Sequence, residues 1–310
     1  MYLLNKLLRK IKQRALPVPT DQQRALIDDL RDRIRSIEHD DAGASGGEDA
    51  GYWLSKRRQL RQNLLSEDPR LFQTFPVITE TMFIDAPAYL AGEYDELRRS
   101  DEWSDRWRPA LHQSEVLRAP PCPYYPKSTG SNIHHAYHIF QFEQATSLHV
   151  GAFQRVFEFG GGFGGMCRLI HRLGFTGQYF IYDYPEFSAL QRFYLSLNDV
   201  ALTSFSSGRP GATCFSEDGQ IEQTSIPSQP DLFIANWSLS EAPIEFRYHV
   251  LEKVKPSAWL IGFQGDFEGL NNLEFFNGWM RENRRWQWNL IKIAHHPGQQ
   301  YYLFGNEQRQ

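Results

Sequence analysis

The stretch "VFEFGGGFGGMCRLIHRLG", Val156 to Gly174, decides the fold. An apolar run carrying one acid, Glu158, ends in five glycines: Gly160, Gly161, Gly162, Gly164 and Gly165. An amphipathic run follows. A strand that turns tightly into a helix needs this pattern. Glycine adopts the positive φ of the turn and leaves room for a close backbone approach, and the helix start offers unpaired N–H groups. Two ligand motifs are satisfied at once. Gly160, Gly162 and Gly165 form the G-x-G-x-x-G of a dinucleotide site, where a pyrophosphate uses the helix N-terminus. Glu158, Gly160, Gly162 and Gly164 form E-x-G-x-G-x-G, where the amino-acid part of S-adenosylmethionine uses the turn instead.

Outward from the turn, strand and helix patterns alternate. Val156–Phe159, Tyr179–Tyr182, Thr213–Phe215, Asp231–Ala235 and Trp259–Phe263 read as strands, with amphipathic stretches such as "SALQRFYLSLNDV" and "IEFRYHVLEKVK" between them. This βαβ series predicts a Rossmann-like α/β fold with a mostly parallel sheet. "WQWNLIKIA" and "YYLFG", joined by "HHPGQQ", predict an antiparallel hairpin at the sheet's edge.

The first part of the chain has a different texture. Residues 1–14 place Leu3, Leu4, Leu7, Leu8 and Ile11 on one helical face, among five basic residues and no acid. Such a helix suits an anionic membrane surface or a partner; docking on its own domain, or on the mate in a homo-oligomer, is the plainer reading. Thr20-Asp21 caps a second helix carrying Leu26, Ile27, Leu30, Ile34 and Ile37, and residues 41–52 read as a small, polar linker. Residues 53–111 read as mostly helical. The expected division is a helical extension over 1–115 and a ligand-binding domain over 116–310.

Composition narrows the function. A net charge of −4 over 310 residues gives no overall basic field for nucleic acid. Cys122, Cys167 and Cys214 are far apart and odd in number, which fits a reducing, cytoplasmic setting and argues against a disulfide framework or zinc site. No run is long and apolar enough to span a membrane, and charges interrupt the N-terminal stretch too often for a signal peptide.

Further residues separate the two ligand readings. Asp183 falls at the tip of the second strand, where it can accept bonds from both ribose hydroxyls of either ligand. A dehydrogenase also requires a Tyr-x-x-x-Lys pair or a His-based hydride site. The terminal hairpin fits a methyltransferase sheet, whose last strand is inserted antiparallel.

"VFEFGGGFGGMCRLIHRLG", "YFIYDYPEFSALQRFYLS" and "DLFIANWSLSEAPIEFRYHVLEKV" resemble blocks of the bacterial sugar O-methyltransferases, a class I S-adenosylmethionine-dependent family. The resemblance covers roughly residues 120–265 and departs from the family at Ala242, where it has Met. It implies S-adenosyl-L-methionine as cofactor and a sugar or glycan hydroxyl as acceptor. By position, Glu158 and Gly160, Gly161, Gly162, Phe163 and Gly164 hold the amino-acid part of the cofactor. Asp183 meets the ribose, Tyr184 or Pro185 covers the adenine, and one of Ser216, Glu217 and Asp218 meets its amino group. Asn236 and Trp237 fall beside the sulfonium.

A sugar hydroxyl needs a general base. Glu241 is the first candidate, and His134 and His135 of the cluster His134, His135 and His138 come next. His134 and His138, at i, i+4, also have metal-ligand spacing, but no carboxylate pair near them in sequence completes a site, so no metal is assigned. His295 and His296 are weaker candidates. The alternatives are an NAD(P)-dependent oxidoreductase or epimerase acting on nucleotide sugars, and a non-catalytic scaffold of the same fold.

Overall fold

The computed structural model describes residues 16–37, 47–82, 87–114, 116–216 and 230–307. The expected basic helix at 1–14 and the acids Glu217 and Asp218 lie outside the described residues, as do positions 41–46 of the expected linker. The rest of that linker, 47–52, is not a loop but the start of a helix.

Helices α1 (Asp21–Ser36), α2 (Gly47–Ser66), α3 (Pro76–Thr81), α4 (Pro87–Arg99) and α5 (Arg108–Ala110) come first, and α6 (Gly130–Thr146) leads into the sheet. Then follow β1 (Arg155–Phe159), α7 (Gly165–Arg172), β2 (Gln178–Tyr182), α8 (Pro185–Ser196), β3 (Gly211–Phe215), β4 (Leu232–Asn236), α9 (Ile244–Lys253) and β5 (Ala258–Gln264). A two-residue ribbon of β6 (Asp266–Phe267) and β7 (Leu270–Asn271) precedes α10 (Asn272–Glu282), β8 (Trp286–Lys292) and β9 (Gln300–Glu307).

The main sheet has the order β3-β2-β1-β4-β5-β9-β8. β1 to β5 pair in parallel, and β9 runs antiparallel to both β5 and β8. The hairpin is therefore not an appendage: its second strand is inserted between β5 and β8. The central strands read as continuous apolar runs because both faces are covered; Val156, Phe157, Leu232, Phe233, Leu260 and Ile261 are all fully buried. Sequence order reverses between β1 and β4, so the loops after these two strands diverge and leave a crevice at their carboxyl ends.

One face of the sheet carries α9 and α10 over a tryptophan-rich cluster of Trp259, Trp279 and Trp286. α10 is absent from the sequence reading; Asn271 caps it by accepting from the Glu274 N–H at 3.0 Å, and it buries Phe276 and Trp279. The other face carries α6, α7 and α8, and the early helices share its core. α1 is closed by a capping box, with Thr20 Oγ1 accepting from the Gln23 N–H and Gln23 Oε1 from the Thr20 N–H, both at 3.2 Å. It lies along α8 and buries Ile27, Leu30 and Ile34, while Leu26 and Ile37 are partly buried. α4 packs on α6. Among the described residues no helix is long and apolar enough to cross a membrane.

Because α1 and the sheet helices share one buried cluster, Ile34→Ala is expected to destabilise the whole chain rather than a local piece. The expected cost is about 2–5 kcal/mol, read as a lower Tm in a single calorimetric transition. A separate low-temperature transition confined to the N-terminal helices would contradict it.

Candidate active site

The glycine turn sits at the crevice and is packed on both sides. Gly160 has φ +69°, Gly162 +56° and Gly164 +90°. The Gly160 N–H donates to the Tyr182 carbonyl at 2.8 Å, and a Cβ on Gly160 would lie 2.2 Å from the Ser238 Cβ in the loop after β4. The Gly162 N–H donates to Asp183 Oδ2 at 2.7 Å, so the acid at the tip of β2 fixes the turn. Asp183 Oδ1 accepts from the Tyr184 N–H at 2.8 Å, and Gln191 bridges the Gly162 carbonyl and Asp183 from α8. Phe163 turns its ring into the core against Phe72 and Tyr194.

Glu158 is buried beneath the turn, where the Tyr179 hydroxyl donates to its Oε2 at 2.9 Å. Burial raises its carboxyl to about 8, against the Tyr179 hydrogen bond, which lowers it. Burial likewise raises Asp183 to about 7, with its two backbone hydrogen bonds opposing.

The loop after β4 supplies the opposite wall. Trp237 holds φ +57°, which costs of order 1–3 kcal/mol for a non-glycine residue. It is held there by its N–H on the Gly262 carbonyl at 2.7 Å and by its indole N–H on Gln300 Oε1 of β9 at 2.6 Å. Asn236 is half-buried, with both amide atoms out of solvent and unpaired within the protein. Glu241 ends a short 3₁₀ turn, Leu239–Glu241, that Arg247 braces from α9 by donating to the Ser240 and Ala242 carbonyls at 2.6 and 2.7 Å. Burial raises the Glu241 carboxyl to about 7, against the hydrogen bond that Gln264 Nε2 donates to its Oε1 at 3.1 Å.

The histidines of α6 gather around an acid that sequence reasoning missed. Glu93 of α4 has a fully buried side chain; His134 Nδ1 lies 2.8 Å from its Oε2, and His295 Nε2 lies 2.9 Å from its Oε1. Burial raises the Glu93 carboxyl, but His134 and His295 outweigh it and hold it below the ordinary glutamate value. His134 Nε2 and His138 Nε2 are 2.8 Å apart, so one proton is shared between them. Burial pushes His135 down to about 3 and His296 to about 4. The rings of His134, His138 and His296 face the Trp237 indole with centroids 5.7, 5.1 and 6.1 Å away. No local pattern marks Glu93; it is one acid among several on a charged helix. Among the described residues no group of three is arranged to hold a metal ion.

These groups enclose a two-lobed cavity. A lobe of about 130 Å³ lies among Tyr182, Asp183, Tyr184, Pro243 and Phe246. A lobe of about 290 Å³ lies among Glu158, His134, His135, Asn236, Trp237 and His296. Trp53, Met82, Gly160, Gly162, Ser238 and Glu241 line both. Glu158, Gly160, Gly161, Gly162, Asp183, Tyr184, Asn236, Trp237, Glu241, His134 and His135 thus converge here; Ser216 and Pro185 line neither lobe. Carboxylates from Glu80, Glu158, Asp183 and Glu241 line the cavity, and among the described lining residues there is no lysine or arginine. A wide-mouthed depression of about 500 Å³ on α10 lies apart from all of these groups. A Tyr-x-x-x-Lys pair does occur, at Tyr52 and Lys56, but neither residue lines the cavity: Tyr52 is exposed and Lys56 is bonded to Glu80.

Gly160→Ala is expected to destabilise the protein by roughly 1–3 kcal/mol or more, since the added Cβ meets Ser238 at a positive φ; chemical denaturation reads it. The titrating groups predict a pH profile. Glu158, Asp183 and Glu241 bind protons in the folded state up to about 8, 7 and 7, well above their ordinary 4.5, 3.8 and 4.5, so they cost stability as pH rises through that window. His135 and His296 bind protons in the unfolded state below 6.5 but not in the folded state until about 3 and 4, so they cost stability as pH falls. Tm is therefore expected to be highest at mildly acidic pH and to decline toward about 8. Glu158→Gln is expected to flatten that decline; an unchanged slope would contradict the assignment.

No protein-family model and no curated protein matches the chain. Solved structures similar to it include magnesium protoporphyrin IX methyltransferase from Synechocystis PCC 6803 with bound SAM, at 11% identity, 73% of this chain, 99% of that one and a TM-score of 0.41. Precorrin-6y C5,15-methyltransferase from Geobacter metallireducens GS-15 is similar at 13% identity over 56% of this chain and 87% of that one, with a TM-score of 0.37. The methyltransferase domain of bacterial CtHen1 is similar at 14% identity over 55% and 96%, with a TM-score of 0.38.

Proposed function

We propose that the chain is an S-adenosylmethionine-dependent O-methyltransferase acting on a hydroxyl of a sugar or glycan precursor. The observation that carries the reading is the make-up of the crevice: the buried carboxyls of Glu158, Asp183 and Glu241, held with raised pKa values and ready to ionise beside a cation, line it, and no lysine or arginine does, among the described residues. A buried site of this composition favours a ligand with net positive charge. S-adenosylmethionine bears a sulfonium and an ammonium against one carboxylate, whereas a nicotinamide dinucleotide brings two phosphate charges toward the same acids. The unpaired amide of Asn236 and the cramped glycine turn fit a ligand that approaches the backbone closely.

The cofactor, when bound, supplies an electrophilic methyl group. Residues of this chain then have assignable roles. Glu158 and the Gly160–Gly164 turn hold the amino-acid end, Asp183 accepts from the ribose, and the lobe beside Tyr184 and Phe246 takes the adenine. Asn236 and the Trp237 face border the reacting centre, where an aromatic face favours a cation. Displacement at a methyl group depends on alignment, so rigid walls contribute much of the rate.

The base that takes the hydroxyl proton is assigned to His134. Glu93 fixes its Nδ1, and its Nε2, which shares a hydrogen with His138 Nε2 at 2.8 Å, exchanges a proton with the acceptor when that contact opens. Glu241 already accepts from Gln264 and lies at the junction of the two lobes. In this reading residues 116–310 carry the cofactor-binding sheet and the early helices complete the site through Glu93 and Trp53, a neutral sugar enters beside the histidine cluster, and the protein works in the cytoplasm.

Isothermal titration at pH 6.5 in buffers of different ionisation enthalpy tests the reading. S-adenosylmethionine and S-adenosylhomocysteine are expected to bind, S-adenosylmethionine with release of protons as the carboxyls around it ionise. Asp183→Ala is expected to weaken both at least tenfold. Binding of NAD(P) with proton uptake, and none by the methionine nucleosides, would favour the oxidoreductase alternative.

A further inference from the structure

The early helices have so far only a packing role, yet one of them spans the crevice. Trp53 of α2 lines both lobes of the cavity. On the β4 side it faces the Glu241 carboxyl across the lining that the two lobes share. On the β2 side its ring lies 6.2 Å from Tyr184 and 6.1 Å edge-on from Phe187. One turn further along, Arg57 donates to Glu186 Oε2 at 2.8 Å and lies 4.9 Å over the Tyr184 ring. α2 is in turn tied to α3 by Lys56 and Glu80 at 2.7 Å. Just past α3, Met82 places its Sδ where a Cβ on Gly162 would come within 2.8 Å, directly over the glycine turn. The segment is thus fastened to one bank of the crevice, faces the other and touches its floor.

We propose that Trp53 and Met82 are cofactor-contacting residues and that α2 is the lid of the methyl-donor site. This rests on the methyl-donor reading above. Two features carry it. Trp53 stands where the two lobes meet, so a ligand that occupies both lobes must pass beneath the indole. The first turns of α2 are fastened to the crevice by few contacts, the Trp53 ring against Tyr184 and Phe187 and one arginine–carboxylate pair, while Leu60 and Leu64 anchor its far half in the core. A nucleoside sulfonium seated below the ring gains an aromatic face and a thioether on the side away from the sheet. Its entry and exit require the α2 fastenings to part. Trp53 is then a specificity residue, because it closes only over a ligand that fills both lobes.

The test uses the full chain and S-adenosylhomocysteine as probe, with titration calorimetry for affinity and stopped-flow intrinsic fluorescence for rates. Trp53→Ala is expected to raise Kd at least tenfold, and Trp53→Phe to retain most of the affinity, because a ring still covers the junction. Arg57→Gln removes a fastening without lining either lobe. It is expected to speed association and dissociation severalfold together while changing Kd less than Trp53→Ala does. Wild-type protein that binds the probe while Trp53→Ala binds it equally well would overturn the lid and leave the methyl-donor reading standing. Wild-type protein that binds no probe would overturn both. If Trp53→Ala does not fold, Trp53→Phe and Arg57→Gln decide the matter: unchanged rates in Arg57→Gln overturn the lid.

Discussion

Two backbone N–H groups of the glycine turn, Gly160 donating to the Tyr182 carbonyl and Gly162 donating to Asp183, join the halves on which the site depends. They fix the glycine turn against the tip of β2 at 2.8 and 2.7 Å. On its other side the same turn abuts Ser238, so the β1, β2 and β4 ends are locked at one point. A side chain at Gly160 would collide with Ser238, and one at Gly162 would press on Met82. The crevice is therefore a by-product of close packing rather than of a missing group. Burial of the carboxyls follows directly, because the acids that hold the turn stand at strand ends already covered by helices. Their raised pKa values are a consequence of that placement.

Much of this was legible from the chain's pattern. The glycine run, the strand series and the terminal hairpin placed the sheet to within a residue or two at most strand ends, because parallel central strands are apolar throughout and glycines mark the turn between them. The pattern also pointed to Glu158, Asp183, Asn236, Trp237 and Glu241, which stand at strand ends or just beyond them. What it missed has a common cause. Glu93 and Trp53 are brought to the crevice by helix packing over long sequence separations, and neither carries a local signature. α10 was missed because an asparagine and a glycine inside it, Asn277 and Gly278, weaken the helical signal of the run. Phe163 shows the opposite limit: its place in the motif puts its backbone at the site, but its ring belongs to the core.

The histidine cluster shows how burial and pairing compete. Glu93 lies out of solvent with His134 and His295 on its two oxygens, and together they hold it ionised against the cost of burial. The neighbouring His135 and His296 have no such partner and stay neutral. Five imidazoles near one carboxylate thus divide into two kinds, those that share its charge and those that merely line the cavity. Spacing along α6 cannot make that division, since His134 and His135 are adjacent in sequence.

Trp237 carries a final implication. Its backbone conformation is disfavoured in isolation and is held by Gln300, at the first residue of β9. That strand is made after every other strand of the sheet, yet it is inserted between two of them. During synthesis the Trp237 indole lacks its Gln300 partner while the earlier strands are pairing. The site is completed by the last strand to arrive, so assembly of the sheet and assembly of the pocket end in the same event.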